Sequence, residues 1–364
     1  MFVRCPSCKK EKILSQKIGV CKECLLKNWE DLKPKIFELH ERSRKLYGLP
    51  TFFKKGLECK YCANQCKIPE GKAGFCGLVK NENGRLIRLA GTPQKGLLEY
   101  YYDPLPTNCV ANWICAASGK GYPKFSHSPK VETGFYNLAV FYGACSFNCL
   151  FCQNYSFKEL TQSLSPLVSA EELAEKINEK VACVCFFGGD PSVQIVHAIS
   201  FAKIVREKFE SKILRLCLET NGNENFKLLK KFAEYAFESG GTIKFDLKFW
   251  DERLNLAFCY VSNKQVYKNF ELLVEMHKER KEVPFLHAST LLIPGYVDES
   301  EVKKIAEFIA SLDTSIPYSL LAFYPSFILN DLPTTTYQQA KKCYEAAKKA
   351  GLKNVRIGNV HLLT

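Results

Sequence analysis

Leu138-Ala139-Val140-Phe141-Tyr142 runs through Gly143-Ala144 into Cys145-Ser146-Phe147-Asn148-Cys149-Leu150-Phe151-Cys152. The unbroken apolar run reads as a strand buried on both faces. The loop after it carries three cysteines, spaced four and three apart. Three thiolates in one loop can hold three corners of a cubane iron–sulfur cluster and leave the fourth iron without a protein thiolate. An open position of that kind accepts an amino-carboxylate chelate, as catalytic zinc sites keep one position free. Phe151 stands beside the third cysteine, where it shields a cluster and offers a face to an adenine ring. On spacing alone, a zinc ion that borrows a fourth ligand is the competing reading.

Downstream, short apolar strands alternate with amphipathic helices. Ser169-Ala170-Glu171-Glu172 is a capping box that opens a helix running to about Lys180. Residues 182–187 form the next strand, and Pro191 suits the first turn of the next helix. The alternation predicts strands at 213–219, 242–247, 285–293, 318–323 and 354–357. Helices fall at 225–238, 263–279, 299–311 and 335–349. Units of this length argue an α/β fold with a parallel sheet, closed into a complete or partial (β/α) barrel. An open doubly wound sheet is the alternative.

On these residues the sequence resembles the radical S-adenosylmethionine (SAM) superfamily. Its CxxxCxxC spacing, with an aromatic residue before the last cysteine, stands after strand one. Gly188-Gly189-Asp190-Pro191 is similar to the GGEP-type segment, whose backbone meets the SAM amino group. Within the superfamily the chain resembles the pyruvate formate-lyase activating enzyme group. Glu219-Thr220-Asn221-Gly222, Lys244-Phe245-Asp246-Leu247-Lys248 and Leu292-Ile293-Pro294-Gly295-Tyr296 match its strand-end motifs. The resemblance implies a [4Fe-4S] cluster on Cys145, Cys149 and Cys152. It places Phe151, Gly188, Gly189, Asp190, Glu219, Thr220, Asn221, Asp246 and Lys248 around SAM, with Tyr324 where the group often has a histidine. It also implies reductive cleavage of SAM to a 5′-deoxyadenosyl radical that abstracts hydrogen from a substrate. A reductant such as ferredoxin or flavodoxin follows as a partner.

Upstream, Cys5-x2-Cys8 and Cys21-x2-Cys24 are two knuckles with zinc-ribbon spacing. Zinc would supply folding energy that so small a unit cannot draw from a core. Cys59, Cys62, Cys66 and Cys76 lie within 18 residues, enough for one metal. That module looks like the N-terminal part of AmmeMemoRadiSam-type radical SAM proteins. Structural zinc and a second iron–sulfur cluster are both open for it. Cys109 and Cys115 are a loop pair that lines a cavity or completes a further site. Cys183, Cys185, Cys217, Cys259 and Cys343 read as core thiols. The expected organisation is a zinc-ribbon-like module (1–30), a helical linker (31–56), a Cys-rich module with loops over the barrel mouth (57–135), and the barrel (136–364).

The chain has 364 residues, with 46% hydrophobic and 24% charged side chains, which excludes a disordered protein. It carries 18 Cys, 13 of them at or before Cys152. No apolar run spans a membrane and the start has no apolar leader, so a soluble cytoplasmic protein is expected. There the thiols stay reduced and serve metals. The net charge is +13, with +8 from residues 1–60 (15 Lys or Arg against 7 Asp or Glu). That bias fits RNA or an acidic protein surface, or simply a solvated basic face. The substrate classes left open are a protein, as for an activating enzyme, and RNA or another macromolecule, with methyl transfer included. A metal-binding nucleic-acid adaptor without catalysis is the non-enzymatic alternative.

Overall fold

A computed structural model describes residues 2–107 and 109–364. Its centre is a nine-stranded sheet. In chain order the strands are β1 (Gly96–Pro104), β2 (Tyr136–Tyr142), β3 (Leu167–Val168), β4 (Val181–Gly188), β5 (Arg215–Thr220), β6 (Ile243–Asp246), β7 (Leu286–Leu292), β8 (Tyr318–Ala322) and β9 (Val355–Gly358). β2 and β4 to β9 are parallel, each paired to the next. β9 stands at one edge of the order and does not pair with β2, so the barrel is partial.

Helices Ile195–Lys208, Phe226–Ser239, Glu299–Leu312 and Tyr337–Lys349 follow β4, β5, β7 and β8. Their starts are local chemistry. Asn225, Asp298 and Thr336 each accept a backbone N–H of the first turn, a contact worth about 1 kcal/mol. The Ser169 capping box forms as read, but its helix is only Ala170–Ala174 and not the run to Lys180. Lys176 and Ile177 donate to residues three back, and the Asn178 side chain takes the Lys180 N–H. Such local bonds compete with helix continuation. The single helix expected at 263–279 is two, Lys264–Leu272 and Val274–Glu279, and an additional helix, Glu252–Cys259, precedes them.

Two corrections concern residues 57–135. The sequence predicts short strands at best there, yet β1 has nine residues and pairs antiparallel with β2 along its length. β1 therefore belongs to the barrel sheet. The following segment does not lie over the barrel mouth. Arg215 at the amino end of β5 pairs with Glu132, and His127 bonds the Ile213 carbonyl. Lys124 meets Glu282 ahead of β7. The segment closes the opposite end, and its Cys109–Ala117 stretch enters the lumen. Trp113 reaches Ser319 of β8 at 3.2 Å.

The ribbon docks onto the barrel. Ser15 N donates to the Tyr296 hydroxyl at 3.0 Å, and the Gln16 N–H donates to Asp331 at 2.7 Å. Lys22, one of the basic residues of the ribbon, is spent on Asp298 at 2.7 Å. Helix Trp29–Lys45, within the stretch expected to link, lies under the Cys145–Cys152 loop. No helix among the described residues is long and apolar enough to cross a membrane.

Candidate active site

A cavity of about 370 Å³ opens at the carboxyl ends of the parallel strands. This is within the usual range for a small-molecule site. Cys145, Cys149, Cys152, Phe151, Gly188, Gly189, Asp190, Glu219, Asn221, Asp246 and Lys248 line it together. Val110 at the tip of the inserted loop is on the same wall.

The cysteine loop is held from below. Buried Asn148 donates to Ser43 Oγ (2.9 Å), contacts His40 Nδ1 (3.0 Å) and accepts from Lys158 Nζ (2.7 Å). Lys158 is fully buried beside the three thiols, and desolvation lowers its pKa to about 8. Buried Arg44 stacks on Phe75 at 3.7 Å and donates to the Pro50 carbonyl. Burial lowers its pKa to about 10 against the pull of Cys145 and Cys76. A neighbouring Cys259 thiol, with help from Lys248, lowers the Cys149 pKa despite burial. Burial raises those of Cys145 and Cys152, the latter to about 12. Buried cations near a thiol trio balance the charge of a bound thiolate set.

The Gly188-Gly189 pair is a steric necessity. A Cβ on Gly189 would stand 2.1 Å from the Ala144 carbonyl oxygen, and Gly188 has φ +108°. The close approach lets Gly189 N donate to Tyr142 O (2.7 Å) and Asp190 N to Ala144 O (2.9 Å). Those N–H groups are consumed, so this backbone offers an incoming ligand carbonyls, which suit an ammonium. The Asp190 carboxylate instead accepts from Ser192 N and Asn221 N at 2.7 and 2.6 Å. It ties the end of β4 to the end of β5.

Across the cavity Asp246 is clamped. Lys244 meets Oδ1 at 2.7 Å, Lys248 meets Oδ2 at 2.9 Å, and Ser289 donates to Oδ1 at 2.7 Å. Although burial opposes it, the two ammonium groups hold the Asp246 carboxyl far below the usual carboxylate range. Lys244 also meets Glu219 Oε2 at 3.1 Å. A ligand here faces fixed charges of both signs at strand ends.

Residues 139–309 match the model of the radical SAM superfamily. The match spans a little under half of the chain and includes the cysteine loop, the Gly188-Gly189 turn and the Asp246 clamp. Over 311 residues the chain is 25% identical to the uncharacterized protein MJ0808 of Methanocaldococcus jannaschii, covering 84% of this chain and 81% of that one. Over 180 residues it is 29% identical to MJ1632 of the same organism, named as a candidate glycyl-radical enzyme activating enzyme. That match covers 49% of this chain and 61% of the relative. A solved domain of pyruvate-formate lyase-activating enzyme from Bacteroides vulgatus superposes with TM-score 0.38 at 21% identity. It covers 48% of this chain and 98% of the domain.

Two expected SAM contacts do not line the cavity. Tyr324 is 54% exposed and absent from the cavity wall, where Leu321 and Asn359 stand instead. It follows β8 by two residues, past the point where side chains still face the lumen. Thr220 is buried behind the wall and donates to Asp190 and Glu224. Lys158, Arg44, Lys244 and Glu224 were not singled out by sequence. Only Lys244 carried a signal, standing two residues before Asp246 on the same strand face. Burial pushes the Glu224 carboxyl up to about 8 and that of its neighbour Asp190 to about 6.

The upstream cysteines differ. Cys5, Cys8, Cys21 and Cys24 lie with all sulfurs within 4.8 Å of one another, and Cys8 and Cys21 are 3.9 Å apart. Tetrahedral zinc with thiolates at ~2.3 Å sets sulfurs about 3.8 Å apart. Neither Cys59, Cys62, Cys66 and Cys76 nor the trio Cys145, Cys149 and Cys152 is among the sets gathered that tightly.

Proposed function

We propose that this chain binds SAM against a [4Fe-4S] cluster held by Cys145, Cys149 and Cys152, and acts on a protein substrate as an activating enzyme does. The observation that carries the reading is one cavity lined together by the three thiols, the Gly188-Gly189 backbone and the Lys244–Asp246–Lys248 clamp. The donor set suits the group: three soft thiols set wider apart than zinc needs, with Lys158 and Lys248 beside them. When bound and reduced, the cluster supplies the electron that cleaves SAM. The chain's own residues do the rest. Carbonyls of the Gly188-Gly189 turn orient the SAM ammonium, and Lys248 or Lys244 meets the carboxylate. Phe151, 4% exposed, lines the cavity and keeps water from the sulfurs. The protein substrate follows from the likeness to MJ1632, and the reductant is a small one-electron carrier such as ferredoxin or flavodoxin.

Zinc is proposed for the ribbon, whose spacing it fits. For Cys59, Cys62, Cys66 and Cys76, the looser arrangement favours a second iron–sulfur cluster over zinc. The test is anaerobic reconstitution with iron and sulfide, followed by dithionite and SAM. Release of 5′-deoxyadenosine and about four iron atoms that depend on Cys149 support the reading. SAM left intact by a fully loaded protein overturns it.

A further inference from the structure

Five of the 18 cysteines meet at one small cavity inside the lumen, beneath the site described above. They are Cys109 and Cys115 of the inserted loop, Cys183 and Cys185 of β4, and Cys217 of β5. Three of them are occupied with ordinary partners. Cys183 donates to Asn137 Oδ1 at 3.5 Å, Cys115 to the Asn112 carbonyl at 3.7 Å, and Cys217 accepts the Thr242 N–H at 3.5 Å. Cys109 and Cys185 differ, because both sulfurs turn to a single carboxylate oxygen. Cys109 Sγ is 3.0 Å and Cys185 Sγ 3.9 Å from Glu219 Oε1, and the three ligand atoms lie within 4.8 Å of one another. Tetrahedral zinc, with sulfur at ~2.3 Å and oxygen at ~2.1 Å, would hold sulfur and oxygen about 3.6 Å apart. The observed pair of distances brackets that value.

The charges also close. Two thiolates and a carboxylate carry three negative charges. A divalent cation and Lys244, which holds Glu219 Oε2 at 3.1 Å, carry three positive ones, and Asp246, which Lys244 also meets, is balanced by Lys248. A buried set that sums to zero avoids the penalty of an unpaired charge. We propose that Cys109, Cys185 and Glu219 bind a zinc-type divalent cation that fastens the inserted loop to β4 and β5. Cys109 precedes Val110, which lines the cavity above, so the ion would also set the floor of that cavity. The proposal goes beyond the reading of the active site and stands if that reading fails.

The test is zinc per chain by mass spectrometry of the full-length protein as purified, compared between variants. Cys109→Ser and Cys185→Ser each lose one zinc relative to the parent. Cys183→Ser, a thiol of the same cavity with a different partner, loses none. Unchanged zinc in the first two variants overturns the site. Should they fail to fold, peptide-mapped alkylation of the parent chain decides. Cys109 and Cys185 are protected until a chelator is added, and equal labelling with and without chelator overturns the proposal.

Discussion

The two ends of the barrel lumen are built on the same strands and have opposite chemistry. At the carboxyl ends, Asp190, Glu219, Asp246, Lys244 and Lys248 face a cavity of about 370 Å³. At the other end, thiols and the Trp113 ring fill the space, and the charge pair Arg215 with Glu132 is sealed. Cys217 and Glu219 are two residues apart on β5 and point the same way, and Glu219 lies where the two spaces meet, lining both. The strands set the direction of these side chains. What meets them decides the chemistry: open cavity above, an inserted loop below.

The strongest way to break this contrast is at the top. Cys149→Ala should reduce SAM cleavage to the uncatalysed background and remove about four iron atoms per chain. Retained cleavage would mean that the cavity is not the reaction site. At the bottom, Glu132→Ala leaves Arg215, 2% exposed, without its partner. The expected loss is about 3–5 kcal/mol in denaturant unfolding. A loss below about 1 kcal/mol would show that the closed end is far wetter than its packing implies.

Asp246→Asn releases Lys244 and Lys248 from their clamp. The specificity constant for SAM should fall on the order of 100-fold, or about 2.7 kcal/mol, with the change mostly in affinity measured calorimetrically. An unaltered constant would remove the clamp from SAM binding. The smallest effect is Glu224→Gln. Burial raises the folded carboxyl pKa to about 8, above the unfolded value. Between those two values the folded state holds the proton that the unfolded state has lost, so stability falls as pH rises. The glutamine variant lacks that slope and should gain on the parent between about pH 5 and pH 8. Parallel stability profiles would exclude this account of Glu224.

Much of the upper end was legible in sequence. The Cys145–Cys152 loop, Gly188-Gly189 and Asp246 belong to short contiguous motifs, each at a strand end, where spacing alone fixes proximity. The lower end was not. Cys109 meets Glu219 across 110 residues, and Trp113 meets Ser319 across 206. No periodicity reports such pairs. Lys158 and Arg44 escaped for a related reason. Each lies in a helix, where a cation is ordinary, and only packing buries it near the thiols. Tyr324 was misplaced because a one- or two-residue overrun beyond a strand end changes where a side chain points.

The ribbon's docking has a consequence for how the chain is made. Ser15 and Asp331 are separated by 316 residues, yet they bond at 2.9 Å. At 5–20 residues per second, a ribosome takes on the order of 15–60 s to cross that interval. The ribbon thus emerges long before the surface that receives it. The zinc proposed for the four-cysteine knot would give the nascent segment a stable shape during that wait. Docking has to wait until the stretch around Asp331 has been made.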